Sequence, residues 1–247
     1  MHDSDKNQEF LDRSANQYHG TIIKGWEKLY HKKREYLYNI FKKYHQSGTA
    51  LELGSADGIM TKKLCGDFTT LTVVDGSALF LQQVKENVAA SNLKLVHSLF
   101  EDFTPDRKYD TIFMSHILEH LDDPVSLLIR SRSWLAANGR ILVSVPNANS
   151  LHRFVGVKLG LLPSHESLNE QDVILGHRRV YSPSLLKQQV TQSGLTIAHF
   201  GGIMIKPLSN RQIEAQWSDE LIDAFFALSD DFPALCSEIY IVAEDRK

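Results

Sequence analysis

Ala50-Leu51-Glu52-Leu53-Gly54-Ser55-Ala56-Asp57-Gly58 is the stretch on which the reading of this chain turns. An apolar run ends in Glu52-Leu53-Gly54, then turns through Ser55-Ala56-Asp57-Gly58 into a helix expected from about Ile59. Glycine at a strand-to-helix turn lets the backbone pass close to a ligand, because no Cβ intervenes. Asp75 follows Gly54 by 21 positions, at the end of the next apolar run, Leu71-Thr72-Val73-Val74. In a doubly wound fold a carboxylate at that place accepts hydrogen bonds from ribose hydroxyls. The spacing therefore points to a cofactor that contains adenosine. A dinucleotide would require Gly-x-Gly-x-x-Gly, so that its pyrophosphate can lie on the helix N-terminus. Here the middle position is Ala56, in Gly54-x-Ala56-x-Gly58, and Glu52 puts a negative charge where a cationic group could be held.

Outward from this loop the chain alternates between strand and helix patterns. Thr49–Leu53, Leu71–Val74, Leu93–His97, Thr111–Met114 and Ile141–Val145 read as five strands. Ser77 is an N-cap for a helix through Leu81, Val84 and Val88. Asp123-Pro124 opens another helix, with Val125, Leu128, Ile129 and Leu135 toward the core and Gly139 closing it. Ser182-Pro183 starts a third, and Leu195–Phe200 and Glu238–Ala243 complete the strands. Such alternation predicts a parallel sheet with helices on both faces. Two stretches, about 146–180 and 201–233, are too long for ordinary connections and read as insertions at the substrate side. Residues 1 to about 20 are polar. From about Ile22 to Tyr44 a helix presents Ile22, Trp26, Leu29, Leu37, Ile40 and Phe41 on one stripe. Lys24, Lys28, Lys32, Lys33, Arg34, Lys42 and Lys43 are read as its solvated side. The expected organisation is a helical cap over 1–45 and one α/β domain over 46–247.

Composition narrows the classes further. A 43% hydrophobic share in 247 residues is ample for a buried core. The net charge of -3 supplies no general drive toward nucleic acid or an anionic membrane. No apolar stretch approaches membrane-spanning length, and the first residues do not form a signal peptide. Cys65 and Cys236 have no metal-type spacing and read as free thiols in a reducing, cytoplasmic setting.

Glu52-x-Gly54-x-x-x-Gly58 resembles the first motif of class I S-adenosylmethionine-dependent methyltransferases, whose cofactor carries a sulfonium and no phosphate. The resemblance extends over about residues 45–245, and Ser115-His116-Ile117-Leu118-Glu119-His120 followed by Asp123-Pro124 is similar to the loop after the family's fourth strand. The ubiquinone-biosynthesis-like O-methyltransferases are the branch it most resembles. The implied fold is Rossmann-like and seven-stranded, mostly parallel, with the last strand antiparallel between strands five and six. The resemblance implies that Glu52, Gly54, Ser55, Ala56 and Gly58 wrap the methionine part of the cofactor. Asp75 and Gly76 would hold the ribose, Phe100, Glu101 and Asp102 the adenine, and Ser115 and His116 would face cofactor and substrate.

His116-x-x-Glu119-His120 also resembles a Glu-x-x-Glu-His pattern that binds a divalent cation in some members of the family, where a later histidine completes the site; His177 lies at a comparable distance. The resemblance thus makes His116, Glu119, His120 and His177 candidate metal ligands, with His116 favouring Mn, Fe, Co or Zn over Mg. The metal-free alternative makes His116, His177 or His120 a general base, since imidazole takes a proton near neutral pH. The insertion adds His152, Arg153, His165, Glu166, Arg178, Arg179 and Tyr181, a density of polar groups suited to recognising a carboxylate, phosphate or polyhydroxylated group. Lys206 to Asn210 and Trp217 are candidates for the opposite wall. The expected activity is O-methylation of a small molecule, glycan or natural-product intermediate. N-methylation, an NAD-dependent oxidoreductase and a non-catalytic cofactor-binding protein are the alternatives. Neither membrane nor nucleic acid is expected as a partner, and a homodimer is left open.

Overall fold

The computed structural model describes Leu11, Ala15 and residues 23–245. The expectations for the other residues up to 22, Ile22 included, lie outside these. The described chain folds around one seven-stranded sheet: β1 (Thr49–Leu53), β2 (Thr70–Asp75), β3 (Leu93–His97), β4 (Tyr109–Ser115), β5 (Leu135–Pro146), β6 (Thr196–Ile205) and β7 (Cys236–Glu244). Their order is β3-β2-β1-β4-β5-β7-β6. All neighbours run parallel except β7, which is antiparallel to both β5 and β6. The chain reverses its direction of winding between β1 and β4, and a crevice opens at such a point outside the carboxyl ends of the strands. Because β7 is reversed, its amino end lies at that same edge: Glu238 stands opposite Pro146 of β5 and Ile203 of β6.

The strands are apolar almost continuously because both faces are covered. On one face Ala50, Leu71, Phe113, Leu142, Tyr240 and Val242 pack with α1 (Glu27–Lys42). On the other, Leu51, Ile112, Ile141 and Val143 pack with α4 (Pro124–Trp134) and α7 (Pro183–Gln192). Helix α1 begins at Glu27, after a turn in which Gly25 has φ 82°, and it is a layer of the domain's own core. Phe41 is fully buried between the rings of Phe113 and Tyr240. Truncating such a residue costs about 3–5 kcal/mol, a large part of a domain's net stability.

Between β1 and β2 lies α2 (Ile59–Leu64), and α3 (Ala78–Asn87) follows β2. The expected caps are present: Ser77, Asp123 and Ser182 accept from the backbone N–H of Phe80, Ser126 and Leu185. The long 146–180 segment carries α5 (Leu151–Lys158) and α6 (Glu170–Ile174); α8 (Asn210–Gln216) and α9 (Asp219–Ala227) lie between β6 and β7.

Four local expectations are corrected. Strand β6 runs on through Gly201-Gly202 to Ile205, where a connection is expected. Those glycines mark close packing, since a Cβ on either would overlap Tyr240 or Cys236. Gly139 does not close α4, which ends at Trp134; it sits within β5. Ile129 is half exposed on α4 and does not face the core. Lys33 is buried at 9% exposure and points inward from α1.

Candidate functional site

At the carboxyl end of β1, Gly54 turns the chain with φ 80°, and its N–H donates to Val74 O at 2.8 Å. A Cβ there would overlap Ile117, so both the turn and the close approach require glycine. Gly58, with φ 79°, opens α2. Asp75 binds the loop from β2: Oδ2 accepts from Ser55 N (2.8 Å) and Ser55 Oγ (3.1 Å), and Oδ1 accepts from Ser77 N (2.8 Å). Burial raises the Asp75 pKa despite these donors. Glu52, 3% exposed, has the Thr61 hydroxyl as donor at 2.7 Å. Burial pushes its carboxyl up to about 8; Thr61 opposes this, while the charges of Asp75 and Asp57 add to it. An uncharged glutamic acid thus faces the crevice, ready to ionise when a cation arrives.

Gly58, expected among the cofactor residues, lies against Val84 outside the cavity lining, whereas Ala56, Gly76, Phe100, Glu101, Asp102, Ser115 and His116 border the same cavity, of about 1400 Å³. That exceeds the roughly 300–1,000 Å³ of a single small-molecule site. Two supports were not foreseen. Tyr30 of α1 donates to Asp57 Oδ2 at 2.8 Å, fastening the helix to the motif loop. Arg130 of α4 donates to the carbonyls of Phe100 (3.2 Å), Glu101 and Phe103 (2.7 Å), which fixes the loop after β3.

Past β4 the chain forms a short 3-10 turn, Leu118–His120, and the histidines separate in role. His116 has φ 58° and engages two carboxylates, Nδ1 with Glu119 Oε1 at 3.1 Å and Nε2 with Glu238 Oε2 at 2.9 Å. Burial would lower its pKa, but the charge of Glu238 and the hydrogen bonds to both glutamates outweigh that and raise it. Each ring nitrogen of His116 thus faces a carboxylate. Lys33 pairs with the other oxygen of Glu238, making a buried Lys33–Glu238–His116–Glu119 chain.

Ligand atoms of Glu119, His120 and His177 lie within 4.8 Å of one another. His116, expected as a fourth ligand, is outside this group; its nitrogens lie against Glu119 and Glu238. Glu119 Oε2 is buried with no hydrogen-bond partner. Burial lowers the His120 pKa to about 4, with Glu119 opposing, so its ring is neutral at pH 7. His177 sits against Asp172, Nδ1 to Oδ1 at 3.1 Å, and its ring is edge-on to His120 with centroids 4.8 Å apart. A carboxylate on Nδ1 fixes the tautomer that leaves Nε2 free to accept.

Of the arginines expected to greet a substrate, Arg153 and Arg178 border the cavity, and all three also hold groups of the chain itself. Arg153, 4% exposed, donates to the carbonyls of His165 and Ser167 and pairs with Asp172 at 3.3 Å. Arg178 donates to His120 O at 3.0 Å, its N–H donates to Glu119 O at 2.8 Å, and Arg179 donates to Asp122 O at 3.2 Å. Together they strap residues 176–181 onto the 3-10 turn. Tyr181 is buried and donates to Gln189 Oε1 at 2.8 Å. His165, Glu166 and Trp217 do not border the cavity, whereas His152, Lys206, Ser209 and Asn210 do.

A family model described as a methyltransferase domain matches residues 26–199. The ubiquinone biosynthesis O-methyltransferase of Vibrio parahaemolyticus is 23% identical over 167 residues, spanning 65% of this chain and 68% of that protein. The malonyl-[acyl-carrier protein] O-methyltransferase of Halalkalibacterium halodurans is 20% identical over 221 residues, 78% of this chain and 81% of the relative. Among solved structures, magnesium protoporphyrin IX methyltransferase from Synechocystis, with bound SAH, has a TM-score of 0.66 at 12% identity, covering 99% of this chain and 100% of that one. At that identity the likeness concerns the fold.

Proposed function

The chain belongs to the methyltransferase-domain family, and on that premise we propose that it transfers the methyl group of S-adenosylmethionine to an oxygen of a small molecule. The observation that carries this reading is one cavity bordered both by the motif loop with Asp75 and by His120 and His177. Its volume leaves room for an acceptor beside the cofactor. The sulfonium amino acid occupies the Glu52 side, and its cationic charge is met by the carboxylate that Glu52 becomes. The acceptor oxygen attacks the methyl carbon in line, the carbon–sulfur bond breaks, and the sulfur leaves as the neutral thioether of S-adenosylhomocysteine. The hydroxyl proton passes to Nε2 of His177, held in place by Asp172. Alignment of the reacting atoms supplies much of the acceleration. Neighbours named as O-methyltransferases favour oxygen over nitrogen as the acceptor. The test is methyl transfer from labelled S-adenosylmethionine to a panel of phenols, alcohols, acids and amines. Methylation of amines alone would contradict the oxygen assignment.

A second reading is favoured by the unpartnered Oε2 of Glu119. One carboxylate and two imidazole nitrogens fit a divalent transition metal better than magnesium. Glu119, His120 and His177 would hold it, and when bound it would supply positive charge that eases loss of the acceptor's proton. Metal content by mass spectrometry, on protein purified without chelator and beside His177→Ala, decides between the two. Stoichiometric metal lost in the variant supports the cation; a metal-free protein that still methylates supports the base.

A further inference from the structure

The sheet separates the cavity into two sides. Asp75 lies on β2, on one side of β1, whereas Glu238 and Lys206 lie at β7 and the end of β6, beyond β4 and β5 on the other. Three buried cations border this second side: Lys33, Arg153 and Lys206, exposed by 9%, 4% and 5%. Lys33 is neutralised by Glu238, and Arg153 by Asp172. Lys206 has only an uncharged partner, its ammonium donating to Asn210 Oδ1, and no ion pair to it forms among the described residues. His152, near enough for the charge of Lys206 to press on its ring, also borders the cavity, and its buried Nδ1 has no partner. Burial, and then the charge of Lys33, press the Lys206 pKa well below the ordinary lysine range, with Glu238 opposing. A buried, unbalanced cation is costly unless it loses its proton or gains an anion.

We propose that Lys206 and His152 form the seat of a carboxylate on the methyl-accepting substrate, so that the acceptor is a hydroxy acid or related monoanion. The charge count selects a monoanion: one buried cation is unmatched, and a phosphate dianion would leave a surplus negative charge next to Glu238. Lys206 donates to the carboxylate, and the His152 ring, which borders the same cavity, forms the wall beside it. The inference rests on the methyltransferase reading for calling the bound acid a substrate, but the seat itself is a property of these side chains.

The experiment uses the full chain labelled with 13C at lysine Cε, the Lys206 resonance being assigned by its absence from Lys206→Arg. Acetate, acetamide and inorganic phosphate are titrated in at constant ionic strength and pH 7.5. Acetate is expected to move the Lys206 signal toward the ammonium position and to saturate at millimolar concentration. Acetamide should leave it in place, and phosphate should bind more weakly than acetate. His152→Ala should weaken acetate binding at least fivefold. An acetate response no larger than that of acetamide, tighter binding of phosphate, or undiminished binding in His152→Ala would overturn the assignment. Calorimetric binding of S-adenosylhomocysteine to the wild-type chain is a separate readout: its absence would sink the methyltransferase reading and leave the acetate result standing.

Discussion

Glu52 and Glu238 are both buried carboxylates facing one cavity, and they are held in opposite states. Glu52, on β1, has one hydroxyl donor and two acidic neighbours, so burial dominates and its pKa rises to about 8. Glu238, on β7, is equally buried, yet the charges of Lys33 and His116 outweigh that and hold it well below the carboxylate range. Burial alone therefore does not set the state of a carboxylate; the charges around it do. The contrast divides the cavity into an acidic side that gains from a cation and a basic side that gains from an anion. On the proposed reading these suit a sulfonium amino acid and an acidic acceptor.

The sharpest way to break this contrast is to neutralise each glutamate in turn. Glu238→Gln strands Lys33 beside an uncompensated site, and removing one partner of a buried pair costs about 3–5 kcal/mol. Glu52→Gln should cost under about 1 kcal/mol at pH 7, because Glu52 already carries its proton there. Urea denaturation of both variants checks this, and equal losses would remove the distinction. On the basic side, His177→Ala should lower kcat by roughly a hundredfold, the lower end of what a general base contributes. Its affinity for S-adenosylhomocysteine should stay within about threefold, since His177 lies on the acceptor side. On the acidic side, Gly54→Ala forces a side chain into a left-handed turn and onto Ile117. A loss of about 1–2 kcal/mol in stability, seen by thermal melting, is expected.

The smallest effect is the most specific to Glu52. Its folded pKa of about 8 lies above the ordinary 4.5, so its contribution to stability is complete below pH 4.5 and is lost as the pH rises through about 8. A cationic ligand needs the ionised form, so affinity for S-adenosylhomocysteine should rise about tenfold from pH 6 to pH 7. That slope should be absent in Glu52→Gln, as measured by calorimetry across the range.

The acidic side was legible in the sequence because it is built from consecutive residues. Gly54 to Gly58 must turn where β1 ends, and Asp75 falls at the end of β2 for the same geometric reason. The basic side was legible only in part: the sequence singles out His152 and Lys206 as wall residues, and both border the cavity, but Lys33 and Glu238 join them only through topology. Lys33 lies in a run of lysines that reads as a solvated face. Glu238 reads as the start of a strand, and only the reversal of β7 carries it to the cavity edge. Arg178 and Arg179 carry a second role that their charge does not announce: they donate to the backbone carbonyls of His120 and Asp122. Gly201-Gly202 imitate a loop, because the residues that exclude a side chain there are Tyr240 and Cys236, more than thirty positions away.

The most direct test of the account is calorimetry of S-adenosylhomocysteine binding at pH 7 in two buffers of different ionisation enthalpy. The predicted result is one ligand per chain with release of close to one proton, as Glu52 ionises against the ligand's ammonium. No binding, or binding whose heat is the same in both buffers, would contradict it.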